Sequence, residues 1–205
     1  MKCGAKIAFT STGIGRRPPS LSRERLNRLE FALLHQDYLQ AVPDEGLITR
    51  TSFFRLVHRD RAVPPVGLPT GFHITDVNVD TEAHHISELI AECYDDLQPS
   101  VEIVQSWANH PVFAPDLWIW VVDQEIDAPV GLGIAEFDPA IREGSLEWIQ
   151  VLPMYRGKGL GKAIVVELLA RLYERAVFVT VSGRVGNCIN PDRLYRRCGF
   201  RGNDV

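Results

Sequence analysis

Residues 151–163, which read V-L-P-M-Y-R-G-K-G-L-G-K-A, constrain this chain more than any other segment. An apolar, β-prone run precedes them (Leu146, Trp148, Ile149, Val151), and a strongly helical run follows over 163–175. A strand that ends in a glycine-rich turn and feeds a helix leaves the first backbone N–H groups of that helix without partners. Such an end carries about half a positive charge, and glycines let a ligand approach the backbone. Arg156, Lys158 and Lys162 add positive charge. The segment reads as a seat for a phosphorylated ligand.

The spacing narrows the seat. A Walker loop needs glycine five positions before its Gly-Lys pair, then Ser or Thr to hold magnesium. Here Gly161-Lys162 has Arg156 at the first position and Ala163 at the second. A dinucleotide fingerprint needs G-x-G-x-x-G. Here Gly157, Gly159 and Gly161 alternate and Lys162 follows, so the spacing differs. The pattern [Arg/Gln]-x-x-Gly-x-[Gly/Ala] does fit, as Arg156-Gly157-Lys158-Gly159-Leu160-Gly161.

That pattern resembles the pyrophosphate loop of the GNAT superfamily, the GCN5-related N-acetyltransferases. Val151-Leu152-Pro153 with Tyr155-Arg156 is similar to the family's strand-to-loop junction. Thirty residues on, Asn190-Pro191-Asp192-Arg193-Leu194-Tyr195-Arg196-Arg197-Cys198-Gly199-Phe200 resembles its later motif, Asn…Leu-Tyr-x-x-x-Gly-Phe. The resemblance covers roughly residues 70–205. It implies an α/β (α+β) fold whose mixed central sheet splays open between strands at 145–152 and 176–182, where the pantetheine arm of coenzyme A would enter. The family's last strand follows the Gly-Phe pair, yet only residues 200–205 remain. That strand is therefore expected to be very short, supplied by another chain, or missing.

Composition sets the class. A chain of 205 residues with 45 % apolar and 23 % charged residues suits one soluble domain plus an extension. No apolar run approaches the ~20 residues of a membrane span. Residues 5–10 are too short and polar for a secretory core. Cys3, Cys93, Cys188 and Cys198 form no C-x-x-C pair, so free thiols in a reducing, cytoplasmic setting are expected, with no metal. Residues 1–30 hold seven Lys or Arg against Glu24 and Glu30, a balance of +5; the total is −4, so the rest carries −9. An acidic body with one basic loop suits an anionic cofactor and a cationic acceptor. Nucleic acid is not expected as a partner, and a homodimer stays open.

Periodicity and punctuation divide the chain. Residues 1–22, with Gly13, Gly15, Pro18 and Pro19, read as a mobile arm. Leu26, Leu29, Leu33 and Leu34 predict a helix within 23–40, and 51–57 a short strand. Pro64, Pro65 and Pro69 read as a linker, which places an N-terminal extension at 1–67 and the main domain at 68–205. The domain then reads as strand 72–79, helices 81–97 and 99–110, strands 117–122, 129–137 and 145–152, helix 157–175, strand 176–182 and helix 191–198. Pro191 suits the first position of that last helix, with Asn190 as its N-cap.

The resemblance implies acetyl transfer from acetyl-CoA to a primary amine, by direct attack. The amine could belong to a small molecule or a peptide. Backbone N–H groups of Gly157, Lys158, Gly159, Leu160, Gly161 and Lys162, with Arg156, would hold the pyrophosphate. A backbone N–H near Val151 would polarise the thioester carbonyl. Tyr195 matches the family's general-acid tyrosine, which would protonate the departing thiolate. Asn187 and Asn190 both lie near the asparagine that contacts the pantetheine arm. For the base, Glu147 alternates with Ile149 and Val151 toward the split; Glu136 and water are alternatives. Trp107, His110, Phe113, Trp118 and Trp148 are candidates for the acceptor wall or for core packing. The alternative function is a coenzyme A-binding sensor or interaction module without turnover.

Overall fold

The computed structural model describes residues 7–9, 31–33, 52–63, 67–95, 97–186 and 190–204. β1 (Ile7–Phe9) and β2 (Phe31–Leu33) form a separate parallel pair. Residues 31–33 are thus extended where the leucine spacing predicts helix, a correction. A three-residue apolar run fits either period, and backbone pairing decides it. The rest of that predicted helix, and of the arm at 1–22, lies outside the described residues.

The main sheet has seven strands: β3 (Phe53–His58), β4 (Phe72–Asp76), β5 (Trp118–Asp123), β6 (Ala128–Asp138), β7 (Glu143–Val151), β8 (Phe178–Arg184) and β9 (Arg201–Asp204). Their spatial order is β4-β5-β6-β7-β8-β3-β9. Among the described residues four α-helices accompany them: α1 (Val79–Cys93), α2 (Val101–Trp107), α3 (Leu160–Leu172) and α4 (Pro191–Arg197). From β4 onward the order β-α-α-β-β-β-α-β-α-β is the expected one. Asn78 and Ser100 cap α1 and α2 through their side chains. Asn190 occupies the N-cap of α4 in a left-handed conformation (φ 45°), but its side chain makes no capping bond.

Alternating side chains along β6 and β7 assign the two faces of the sheet. A Cβ on Gly133 would lie 2.5 Å from Ile164 Cγ2, and one on Gly144 2.7 Å from Leu172 Cδ2. These absent side chains let α3 sit directly on the sheet. Ile164, Val165, Leu168, Leu169 and Leu172 are buried there. Tyr94, at the end of α1, meets Gln150 and Trp148 on the opposite face.

β7 and β8 run parallel and pair from Glu143↔Phe178 to Leu146↔Val181. Beyond Leu146 they diverge, which is the expected split. Its closed end is held by Glu143, whose Oε1 accepts from Thr180 Oγ1 on β8 (2.6 Å) and from Arg55 Nη2 on β3 (2.8 Å).

β3 lies inside the sheet, between β8 and β9, although the expected division at 67/68 put it in the extension. It pairs with β8 over six residues, from Phe53↔Arg184 to His58↔Val179. Phe54, Leu56 and His58 point into the core. The His58 Nδ1 and Tyr173 Oη, at the end of α3, are 2.6 Å apart. The prolines after β3 therefore connect two strands of one sheet. The last strand is very short, as one of the three expectations held, but β3 supplies its neighbour from within the same chain.

Leu56 is 1 % exposed. Leu56→Ala should cost about 2–5 kcal/mol in urea unfolding, as for a core leucine. A loss below about 0.5 kcal/mol, the range of surface changes, would return 53–58 to a detached extension.

Candidate functional site

The glycine-rich loop joins β7 to α3 at the open end of the split. Gly157 (φ 82°) and Gly159 (φ 89°) take left-handed conformations that side chains disfavour. Gly159 is the N-cap of α3, and no side chain caps it. The N–H groups at the start of α3 thus stay available to a ligand. Leu160 is buried and anchors this end in the core. A Cβ on Gly161 would sit 3.3 Å from Leu194 Cδ2 of α4, so glycine there brings α3 and α4 together.

The basic side chains of the loop are exposed. Arg156 Nε donates to Val151 O at 3.1 Å, which ties the loop back to the strand. Lys158 Nζ lies 4.5 Å from the Tyr155 ring centroid and 5.8 Å from that of Phe72. Lys162 borders a pocket of about 480 Å³ between residues 57–63, α3 and the 197–201 turn. Arg59, Arg197 and Arg201 line this pocket with Asp60, which makes it electropositive.

Val151 faces the split. Leu152 N–H donates to Val130 O on β6. Backbone groups alternate in direction along an antiparallel pair. Val151 N–H therefore points away from β6, where β8 has already diverged.

Tyr195 on α4 is 7 % exposed and packs against Phe200 and Phe54. Burial, with Tyr94, Cys198 and Glu147 nearby, pushes its hydroxyl well above the usual tyrosine range. It keeps its proton at any working pH. Asn190 is exposed just before α4, and Asn187 lies outside the described residues.

The carboxylates differ from expectation. The β6–β7 register shifts between Ile134↔Trp148 and Ala135↔Leu146, which leaves Glu147 as the extra residue of a β-bulge. Glu147 and Trp148 consequently lie on the same face, opposite Ile149. The expected alternation of Glu147 with Ile149 and Val151 is therefore corrected. Ser145 Oγ donates to Glu147 Oε1 at 2.6 Å. Across the ladder, Glu136 pairs with Ser145, so both glutamates share the α1 face. Glu147 is exposed and Glu136 half-buried. Burial first, then the Glu147 charge, pushes Glu136 up to about 7. The strand alternation could not show this, since the bulge leaves no mark in the residue types.

Aromatic groups flank the glutamates. Trp107 stacks on Trp148 at 5.5 Å and 18°, while Tyr94 meets Trp148 edge-on at 6.3 Å. Trp118 is buried, with Phe113 and Trp107 against it, and belongs to the core. His110 is exposed in the turn after α2. Among the described residues, no group of three His, Cys, Asp or Glu is arranged to hold a metal ion. No described helix is long and apolar enough to cross a membrane.

A family model of the acetyltransferase (GNAT) domain matches residues 115–202. The chain has the GNAT fold. The match includes the split, the loop and Tyr195, and begins after β3, β4, α1 and α2. A GCN5-related N-acetyltransferase from Sphaerobacter thermophilus has a similar structure, with a TM-score of 0.65 at 21 % identity. The likeness covers 74 % of this chain and 48 % of that one. A tandem GNAT protein from the clavulanic acid biosynthesis pathway gives 0.55 at 17 % identity, over 75 % of this chain and 51 % of that one. This chain thus spans about half the length of either. The ribosomal-protein-S18-alanine N-acetyltransferase of Escherichia coli gives 0.51 at 19 %, over 63 % of this chain and 77 % of that one. At these identities the likenesses establish the GNAT fold. A comparison with curated proteins found no match.

The raised Glu136 carries a stability signature. Its folded pKa of about 7 lies above the usual 4.5, so the folded state holds its proton more tightly. Stability is full below about 4.5 and falls as pH rises through about 7. Glu136→Gln should remove that loss, after solvent screening about 1–2 kcal/mol at pH 8.5. The variant should melt a few degrees above the parent at pH 8.5, with the gap closing by pH 4; an equal gap at both would remove the assignment.

Proposed function

We propose that the chain is an N-acetyltransferase that moves an acetyl group from acetyl-CoA to a primary amine by direct attack. The observation that carries this reading is the end of β7–β8 pairing at Leu146, with the uncapped start of α3 at the mouth of the split. N–H groups of 157–162, with Arg156, Lys158 and Lys162, would hold the pyrophosphate. The electropositive pocket beside Lys162 offers room for the phosphorylated nucleotide end. Asn190 stays a candidate for the pantetheine arm, and Asn187 stays one on sequence grounds.

Bound acetyl-CoA supplies the activated acetyl thioester. Val151 N–H, which points away from β6, would donate to the thioester carbonyl oxygen as that oxygen gains negative charge. Glu136 stands five positions along β6 from the partner of Val151, so it would take the proton through water, and an acceptor near 7 suits a neutral working pH. Glu147 adds negative charge beside it and draws the ammonium in. Tyr195 donates its proton to the departing thiolate. The sensor alternative drew on the short C-terminal end and the lack of a clear base; β3 and Glu136 weaken both motives.

Acetyl-CoA at a hundred times its Kd should add about 2.7 kcal/mol of stability, read as a rise in Tm. No shift at millimolar ligand would sink the cofactor assignment. Tyr195→Phe should lower kcat about a hundredfold, the lower range for general acid catalysis, with little change in acetyl-CoA affinity. Unchanged turnover would remove Tyr195 as the acid. The kcat/KM profile should rise with pH through about 7, and Glu136→Gln should abolish that limb.

A further inference from the structure

We propose that the preferred acceptor carries one primary ammonium next to an aromatic or branched aliphatic group. The nitrogen sits at Glu136 and Glu147, and the apolar group lies on Trp148, Trp107 and Ile103. This rests on the acetyltransferase reading above and specifies the acceptor that the same site takes.

The placement follows from the bulge and from α2. The bulge sets Glu147 beside Trp148 on the α1 face, with Glu136 across the ladder. One end of this wall is therefore anionic and the other aromatic. Ile103 and Trp107 stand four apart on α2, so they share one side of that helix. Trp107 stacks on Trp148, which lays the Ile103–Trp107 stripe along the aromatic end of the wall. Tyr94 closes that end from the terminus of α1.

The stripe is open to solvent. Ile103 is 36 % exposed and Leu97, in the α1–α2 connection, is 43 % exposed. Trp107, Trp148 and Tyr94 are half-buried. Exposed apolar groups beside a paired-carboxylate floor fit an acceptor that is charged at one end and greasy at the other. A polyamine needs additional anionic contacts. Among the described residues of 94–113 only Asp95 and Glu102 are acidic, and both are exposed. A small hydrophilic amine would leave the stripe uncovered.

Two sources offer this chemistry: a free arylalkyl or alkyl amine, and the N-terminus of a peptide that begins with an apolar residue. The full chain is assayed for thiol release from acetyl-CoA with 2-phenylethylamine, a tripeptide amide beginning with phenylalanine, ethanolamine and spermidine. One or both apolar amines should exceed ethanolamine and spermidine about tenfold or more in kcat/KM, the scale of a few methylenes in an apolar pocket. Which of the two is faster identifies the source. Ile103→Lys, at an exposed position, and Trp107→Ala should each shrink that ratio about threefold or more, with Trp107→Phe restoring most of it. A ratio is insensitive to the fraction of folded protein. Equal or better use of ethanolamine or spermidine, or ratios unchanged in both variants, overturns the proposal. If no amine releases thiol, the acetyltransferase reading itself fails. Tryptophan fluorescence titration with 2-phenylethylamine against ethanolamine then decides the inference alone: tighter binding of the first upholds it, and equal binding overturns it.

Discussion

The parallel ladder between β7 and β8 holds for four residue pairs and then stops, and the site depends on that interruption. Backbone N–H and C=O groups removed from water need partners. Along Ile149 and Val151 one edge of β7 has none from β8; Val151 O accepts from Arg156 instead, and the N–H groups of this edge face the split, where an extended, amide-bearing arm could meet them. The split stays a split because both ends are fixed. At the closed end Glu143 ties Thr180 of β8 to Arg55 of β3. At the open end Gly161 lets Leu194 of α4 come against the start of α3, with Val151 also at that contact.

A strand can leave its neighbour only if its other edge is satisfied. β3 does this for β8, with six consecutive residue pairs that run through Arg184, past the point where β7 departs. Phe54 continues the support inward. A Cβ on Gly183 would lie 2.4 Å from Phe54 Cζ, so that ring lies directly on the backbone of the diverging strand. The same ring stands 6.3 Å from Tyr195. The segment before the prolines thus reaches the proposed chemistry through one side chain, although the family model begins some sixty residues later.

Elements whose evidence is local were legible in the sequence. Glycines and basic residues at 156–162 marked the loop, and the 3.6-residue and two-residue periods located the helices and strands from β4 onward. Non-local features were not legible. β3 pairs with a strand about 125 residues away, and nothing in Phe53–His58 names that partner. The prolines at 64, 65 and 69 look like a domain linker because a strand-to-strand connection uses the same residues. The bulge at Glu147 is a third case. Strict alternation sent Glu147 toward Ile149 and Val151, whereas one extra residue in the ladder turned it to the Trp148 face and into the company of Glu136.

That company bears on how the proposed acid and base would divide the work. Burial raises both Glu136 and Tyr195, because it penalises the charged form of each. The consequences are opposite in use. For Tyr195 the rise secures the proton until a thiolate, whose ordinary pKa is about 8.5, begins to form. For Glu136 the rise narrows the gap to the amine. An alkylammonium near 10.4 is about 3.4 units above a base at 7, roughly 4.6 kcal/mol uphill, against about 8 kcal/mol for an unperturbed glutamate. For an α-amino group near 8 the gap falls to about one unit. The reactive combination, Glu136 ionised and Tyr195 protonated, is then the major state everywhere above about 7 until the tyrosine titrates. The remaining protonation cost then lies with the acceptor, whose ammonium must give up its proton before it attacks.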